Sequence, residues 1–323
     1  MTHRFLTISA VTALVASGCL SDQQAPGDSA QFHGAVVQVI PENVLAAAVE
    51  VHATGFDSAL VEYGTGTGPV LRTPAVPFSG DTAVRVPVLG LDTAAVYAFH
   101  VVLSRAGAAD RVVDTLAFTS GSLPAWIPAI GSLGTSGEPG YLALSLPDGA
   151  VTVDNSGKVV WYHHSPNGVL NSFQAHPNGS YTLLGTGAAE TQFRVLNSLG
   201  EQTATLQCVG RPTRFHEVLV AQGGDAWILC DENRTMDLSA LGGVAAAVVT
   251  GTVIQHLSAT GALLWEWNAF DYFDITDLPL ADRTGPNVNF THGNGLGFDA
   301  DSNLVLGFRS LSEVTKVDRA TGA

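Results

Sequence analysis

Four short stretches decide the fold: "DNSGKVVWY" (154–162), "NSLGEQTATL" (197–206), "SATGALLWEW" (258–267) and "DRATGA" (318–323). Each is a polar turn closed by a glycine (Gly157, Gly200, Gly261, Gly322), and the first three run straight on into an apolar strand. Trp161 and Trp265 both stand four residues past their glycine. A second unit recurs between the turns. "NSFQAHPNGSYTLL" (171–184), "HEVLVAQGGDAWIL" (216–229) and "HGNGLGFDADSNLVL" (292–306) each give a strand, a tight Gly/Asn/Asp turn and another strand. The turn glycines are 43, 61 and 61 residues apart. Two alternating β units at that period read as blades of a β-propeller, in which each four-stranded sheet packs face-on against the next. The longer intervals need insertions, and "ENRTMDLSALGGVAAAV" (232–248) and "AFDYFDITDLPLADRTGPN" (269–287) supply them. Residues 124–323 hold about four blades, the last one incomplete, and an unfinished blade leaves an open sheet edge. The chain therefore reads as a piece of a longer propeller, truncated at its C-terminus.

Upstream, residues 34–120 form a different pattern. Short runs such as "GAVVQVI", "AAAVEVHA", "TAVRVPVL" and "AVYAFHVVLS" are rich in valine and aromatics and are separated by Gly/Asp/Pro turns, which reads as a small β-sandwich. The stretch "VLGLDTAAVYAFHVVLSRAG" (88–107) resembles a fibronectin type III core, with Leu89, Leu91 and Tyr97 as its packed residues. The expected fold is all-β: an Ig/fibronectin III-like sandwich followed by an incomplete propeller.

The chain opens "MTHRFLTISAVTALVASGCLSD" (1–22). A basic residue, Arg4, precedes an apolar run too short to span a bilayer, then small residues, then Cys19, which is the pattern of a secretory leader. Small residues directly before a cysteine resemble a bacterial lipobox, so residues 1–19 are expected to be a lipoprotein signal peptide with Cys19 lipidated. Simple cleavage is the other outcome. Residues 20–33 then form a flexible tether. No other segment is long and apolar enough for a membrane helix, so membrane contact is expected through the lipid anchor alone, with the protein exported to the periplasm or cell exterior. Cys208 and Cys230 remain as an even pair in an oxidising compartment, either bridged or as two buried thiols. The composition is that of a globular protein, 46% hydrophobic and 13% charged, and the net charge of −15 leaves no basic footprint for a nucleic-acid partner.

The chemistry-bearing residues gather in the repeats. His292 lies nine residues before Asp301 and Arg309 eight after it, so two strands of equal length joined at that turn bring both to one end of a hairpin. His216 takes the place of His292 one repeat earlier, and Asn171 takes it one before that. The inner strand of a blade lines the channel, where two imidazoles and a guanidinium would suit transfer of an anionic group. Arginine forks onto a phosphoryl or sulfuryl group, and histidine supplies acid/base or nucleophilic capacity. Polar residues capping strand ends are the plainer alternative. Other motifs carry less. "DADSN" (299–303) lacks the glycine and glutamate of a calcium loop and reads as a turn. "YGTGTG" (63–68) lacks the lysine and helix of a phosphate loop, and His163 with His164 lack further zinc ligands. No metal site is expected.

The block "THGNGLGFDADSNLVLGFRSLSEVTKVDRATG" (291–322) resembles the signature of the bacterial arylsulfotransferases: His-x-Asn, a strand, a Gly/Asp turn, then an arginine ahead of a lysine–aspartate–arginine run. "FHEVLV" (215–220) is similar to the family's upstream His-His-acid segment, with Phe215 in place of the first histidine. The resemblance covers roughly residues 120–323. It implies a six-bladed propeller that moves a sulfuryl group from a phenolic sulfate donor to a phenol acceptor, with no nucleotide donor or other cofactor, through a sulfohistidine. By that resemblance His216 and His292 are supporting histidines and Arg309 is the arginine, while the nucleophilic histidine belongs beyond residue 323. The residues alone leave a second class open, a non-catalytic propeller lipoprotein that binds a surface protein or glycan.

Overall fold

The computed structural model of the chain describes residues 30–80, 82–131, 139–165, 170–185 and 191–323. The leader and Cys19 lie outside the described residues, and so does most of the tether. The first strand nevertheless begins at Gln31, inside the stretch read as tether. A register shift between Phe32 and Gly34 breaks the alternation there and hides the strand start in the sequence.

The N-terminal unit has eight strands: β1 (Gln31–Val39), β2 (Ala47–Thr54), β3 (Ser58–Gly64), β4 (Leu71–Arg72), β5 (Val76–Pro77), β6 (Ala83–Val88), β7 (Val96–Ser104) and β8 (Arg111–Thr119). They form two antiparallel sheets, β1-β2-β6 and β4-β3-β7-β8, with β5 paired to β3. Alternation drives the packing. Val84, Val86 and Val88 of β6 point inward, and they meet Val61, Phe99, Val101 and Leu103 of the other sheet. Leu91 and Tyr97 join this core, and the Tyr97 hydroxyl accepts the Asp92 amide at 2.7 Å. Leu89 does not join it. It packs with Ile40, Ala46, Ala48 and Leu199 in the seam with the rest of the chain.

Four sheets follow in chain order. The first holds β9 (Tyr141–Leu146), β10 (Gly149–Asp154) and β11 (Val159–His164). The second holds β12 (Leu170–Ala175), β13 (Tyr181–Gly185), β14 (Phe193–Leu196) and β15 (Gln202–Leu206). The third holds β16 (Thr213–Val220), β17 (Ala226–Met236), β18 (Ala247–Leu257) and β19 (Leu263–Asn268), with β20 (Asn287–Asn289) parallel to β18. The fourth holds β21 (Gly293–Phe298), β22 (Leu304–Phe308) and β23 (Glu313–Val317). The only helical elements among the described residues are single 3₁₀ turns, as at Ser239–Leu241 and Ala269–Asp271.

The repeated glycine turns explain the meanders. Gly157, Gly200, Gly261 and Gly322 all have φ between 77° and 88°, a left-handed geometry that a β-carbon disfavours. In each turn the leading polar side chain caps the backbone behind it: Asp154 accepts the amides of Ser156 and Lys158, and Asn197 those of Leu199 and Glu201. Ser258 and Asp318 do the same in the third and fourth sheets. In the second and third sheets this turn joins strands three and four. In the first it joins strands two and three, so the first sheet is short by one strand among the described residues. The sequence reading gave only the last sheet as incomplete.

Each sheet buries its face on the next. Ala150 and Trp161 pack on Phe173, Leu183 and Leu196. Phe193 and Val195 pack on Val218, Ile228 and Val253. Trp227, Leu229 and Ile254 pack on Leu304, Leu306 and Phe308. Face-to-face stacking of successive meanders is the packing of propeller blades. The sandwich rests on the turns of the first two sheets through Lys158–Asp92 (2.5 Å) and Arg85–Glu201 (2.7 Å). Between the second and third sheets lies a covalent link, the Cys208–Cys230 disulfide, with a sequence separation of 22. Closing a loop of that size restricts the unfolded chain by about 3 kcal/mol. Reduction is therefore expected to lower the unfolding free energy by about that amount, measured by urea denaturation with and without dithiothreitol.

Candidate active site

The site is set by where β16 and β21 begin. These are the first strands of consecutive sheets and lie side by side. His216, the fourth residue of β16, and His292, immediately before β21, thus meet across 76 residues of chain, with their Nε2 atoms 3.2 Å apart. Asn171, at the matching place in β12, donates to Gly185 O (3.4 Å) and does not join them.

His292 is buried and its backbone is left-handed, with φ 49°. A non-glycine residue in that region costs of order 1–3 kcal/mol and persists only where its surroundings hold it. Thr252 and Thr291, both fully buried, provide the hold. Thr291 Oγ1 donates to Thr252 Oγ1 and accepts the Thr252 amide, both at 2.8 Å, while Thr252 Oγ1 accepts the Gly293 amide at 2.7 Å. Position 293 admits only glycine, because a β-carbon there would stand 2.5 Å from Thr252 Cγ2. On the other side, the Arg309 amide donates to the His292 carbonyl at 3.1 Å.

That last contact follows from register. Gly293 pairs with Phe308 across the hairpin, which sets Arg309 next to His292. The Arg309 side chain is exposed and has no carboxylate partner among the described residues. A second guanidinium, Arg214, is buried. Its Nε donates to the Gly293 carbonyl at 2.9 Å and its Nη1 to Asp231 Oδ1 at 2.5 Å. Burial, helped by Arg214, Arg309 and His216, holds the His292 pKa down at about 4. Burial and the same two guanidiniums lower His216 as well, against the opposite pull of Asp231. Both imidazoles are therefore neutral at pH 7.

A cavity of about 320 Å³ opens on one flank of His292, walled by Arg214, Phe215, Asp231, Asn289 and the ring itself. His216 and Arg309 do not line it. His216 lies at the Nε2 side of the ring, while Asn289 Nδ2 sits 2.6 Å from Nδ1. Phe215, 43% exposed, lines the mouth beside the His216 ring. The inserted segments wall the cavity from behind, with Leu238, Val249, Leu278, Val288 and Phe290 packed as one cluster.

Sequence reasoning missed Arg214, Asp231 and Asn289 as site residues. A signal existed for Arg214, since residues two apart on a strand share a side, but none for the pairing that brings β20 to β18. His163 and His164 stay in the first sheet, stacked near Trp161 and Trp126, away from this site. Asp299 accepts the Asp301 and Asn303 amides and pairs with Lys316, as a turn residue does. Among the described residues no cluster of histidine, cysteine or carboxylate groups is set to hold a metal.

The all-β scaffold thus brings two imidazoles together within reach of the charges of Arg214 and Arg309. The chain belongs to the arylsulfotransferase (ASST) family, whose profile matches residues 108–323, from the last strand of the sandwich to the fourth sheet. No curated protein matches the sequence. Among solved structures, a protein of unknown function from Bacteroides caccae is similar at 12% identity and a TM-score of 0.35, covering 56% of this chain and 54% of its own. The chain thus spans about half the length of that protein, and a likeness this low carries no inference.

The depressed imidazoles make stability depend on pH. His163, His176 and His292 each have a folded-state pKa near 4, against about 6.5 when unfolded. Their contribution is complete above pH 6.5 and is lost as pH falls toward 4, because the unfolded chain then binds protons that the folded chain refuses. Unfolding free energy measured from pH 7 to pH 4 is expected to fall. In His292→Ala the slope between pH 6 and 4.5 is expected to be shallower by about one proton.

Proposed function

We propose that this protein transfers a sulfuryl group between phenols, ArO–SO3⁻ + Ar′OH → ArOH + Ar′O–SO3⁻, without a nucleotide donor. One observation carries the reading: in a chain of the arylsulfotransferase family, His216 and His292 face each other at 3.2 Å, with burial and then the charges of Arg214 and Arg309 holding their pKa values down. A phenolic sulfate is a single anion with its charge spread over three oxygens. Arg309, unpaired among the described residues and beside His292, is the group free to bind those oxygens, and Arg214 adds positive potential from behind. The imidazole pair handles the phenol oxygen and its proton. Family resemblance supports a sulfohistidine intermediate on a further histidine beyond residue 323, which would make the kinetics ping-pong.

The same proposal includes export and a lipid anchor at Cys19. The leader sequence supports it, and so does the Cys208–Cys230 bridge, which an oxidising compartment preserves. Phe215 at the position of the family's first histidine favours a second reading, a propeller that binds an aryl or glycan ligand without turning it over. Turnover separates the two. In the protein that carries this chain, release of 4-nitrophenol from 4-nitrophenyl sulfate with phenol as acceptor is expected, and Arg309→Ala or His292→Ala should lower it by about a hundredfold or more. Near-wild-type turnover in a variant would remove that residue from the mechanism, and binding without any release would favour the second reading.

A further inference from the structure

We propose that Asn289 is a positioning residue: its side-chain amide fixes His292 as the Nε2–H tautomer and so makes His292 the donor, and His216 the acceptor, of the facing pair. The assignment deepens the sulfuryl-transfer reading and rests on it for its consequence in catalysis.

The argument is a count of protons. Two neutral imidazoles carry one N–H each. His292 Nδ1 lies 2.6 Å from Asn289 Nδ2, and an amide nitrogen can only donate. Nδ1 must then be a lone pair, and the His292 proton sits on Nε2. That nitrogen faces His216 Nε2 at 3.2 Å, so the His216 atom is the lone pair and the His216 proton sits on Nδ1. One amide orientation therefore decides the state of all four ring nitrogens. With the amide turned over, its oxygen would accept from Nδ1–H and the two histidines would exchange roles.

Asn289 is well held for this task. It ends β20, level with Thr250 of the parallel strand β18. The next residue, Phe290, is 1% exposed, donates its amide to the Thr250 carbonyl at 2.9 Å, and packs on Phe270 with ring centroids 5.4 Å apart. Three residues on, the Thr252–Thr291 hydroxyl pair anchors the left-handed His292. The backbone that carries the amide and the ring is thus held at both ends of a short segment, while the Asn289 side chain itself is exposed and contacts His292 Nδ1.

The consequence is a division of labour. A neutral imidazole that presents Nε2–H can hydrogen-bond to a sulfuryl or departing phenolate oxygen as charge builds there, and it need not surrender its proton. No bond is made or broken at His292 in this role. Once a ligand separates the rings, the His216 Nε2 lone pair is free to take the acceptor phenol's proton: the phenol O–H breaks, an N–H forms on His216, and the phenolate attacks sulfur. Its O–S bond forms as the bond from sulfur to the group carrying it breaks. The proton gained by His216 balances the one taken up by the donor phenolate, which leaves as ArOH.

The test is a tautomer measurement on the 323-residue chain. With ¹⁵N-labelled histidine at pH 8, long-range ¹H–¹⁵N correlation is expected to show His292 as Nε2–H, with Nδ1 an unprotonated, hydrogen-bonded nitrogen. Asn289→Asp offers only acceptors and is expected to switch His292 to Nδ1–H, while Asn289→Ala leaves a mixture. Wild-type His292 found as Nδ1–H would overturn the proposal, and that result needs no variant to fold. An unchanged tautomer in a folded Asn289→Asp protein would overturn it too. Titration with 4-nitrophenyl sulfate separates this inference from the reading beneath it. If the tautomers behave as stated but the ligand leaves the Arg309 and His292 resonances unmoved, the positioning role of Asn289 stands and the aryl-sulfate reading fails.

Discussion

The first three sheets in the second part of this chain bury apolar residues on both faces, and that constraint organises everything else. β10 is buried at Gly149 through Val153 without alternation, and β17 is buried from Ala226 to Cys230. A sheet of three or four such strands cannot stand in water on one packed face. It must be sandwiched between neighbours, and the cheapest neighbour is the next meander along the chain. Successive stacking then forces the first strands together on one side, β12 beside β16 and β16 beside β21. The convergence of His216 and His292 is a by-product of covering apolar faces. Only the identity of the two residues at the strand starts is left for function to choose.

Burial and local charge pull the two imidazoles in the same direction, toward the neutral form. A buried histidine next to a carboxylate tends to gain charge, yet here Arg214 takes the carboxylate of Asp231 for itself. The guanidinium then acts on the imidazoles with its positive charge only partly balanced, and Arg309 adds to it from the exposed side. The result is a positive influence on the two imidazoles inside a protein whose net charge is −15. Local arrangement outweighs the global sum because exposed charges farther away than a Debye length, about 8 Å at physiological salt, are largely screened.

Much of this was legible in the sequence, for reasons that can be named. The glycine turns announced the sheets because left-handed backbone and side-chain capping leave a residue signature that survives in each copy: Asp154, Asn197, Ser258 and Asp318 ahead of their glycines. Counting back from the hairpin turns put His216 and His292 on the first strands of consecutive sheets, although by register they stand two positions apart, His216 two residues before Val218 and His292 four before the matching Leu296. Equal arm lengths put Arg309 opposite His292. Such arguments work within a hairpin or between repeats. They fail for contacts made by insertions, which have no second copy to compare. Asn289 left no such signature, since its place depends on a three-residue parallel pairing between residues 39 apart in sequence, as Val249 and Val288 are. The missed strand start at Gln31 has a smaller cause, one bulge that shifts the alternation by a residue.

Insertions and strain belong to the same argument. His292 holds a backbone conformation that a regular strand start would not adopt, and what over-determines it comes from β18 and from the segment ending in β20. The β17–β18 hairpin is longer than a blade needs, and its extension past Asp231 carries Thr250 to the cavity wall while Leu238, Val249 and Phe290 close behind it. A bare four-stranded sheet would leave His292 free to relax into an extended conformation, turning its ring away from His216. The insertions thus do more than decorate one end of the scaffold. They convert a position that stacking brings close into one whose ring orientation is fixed, and a site that acts through the direction of a single N–H requires the second condition as much as the first.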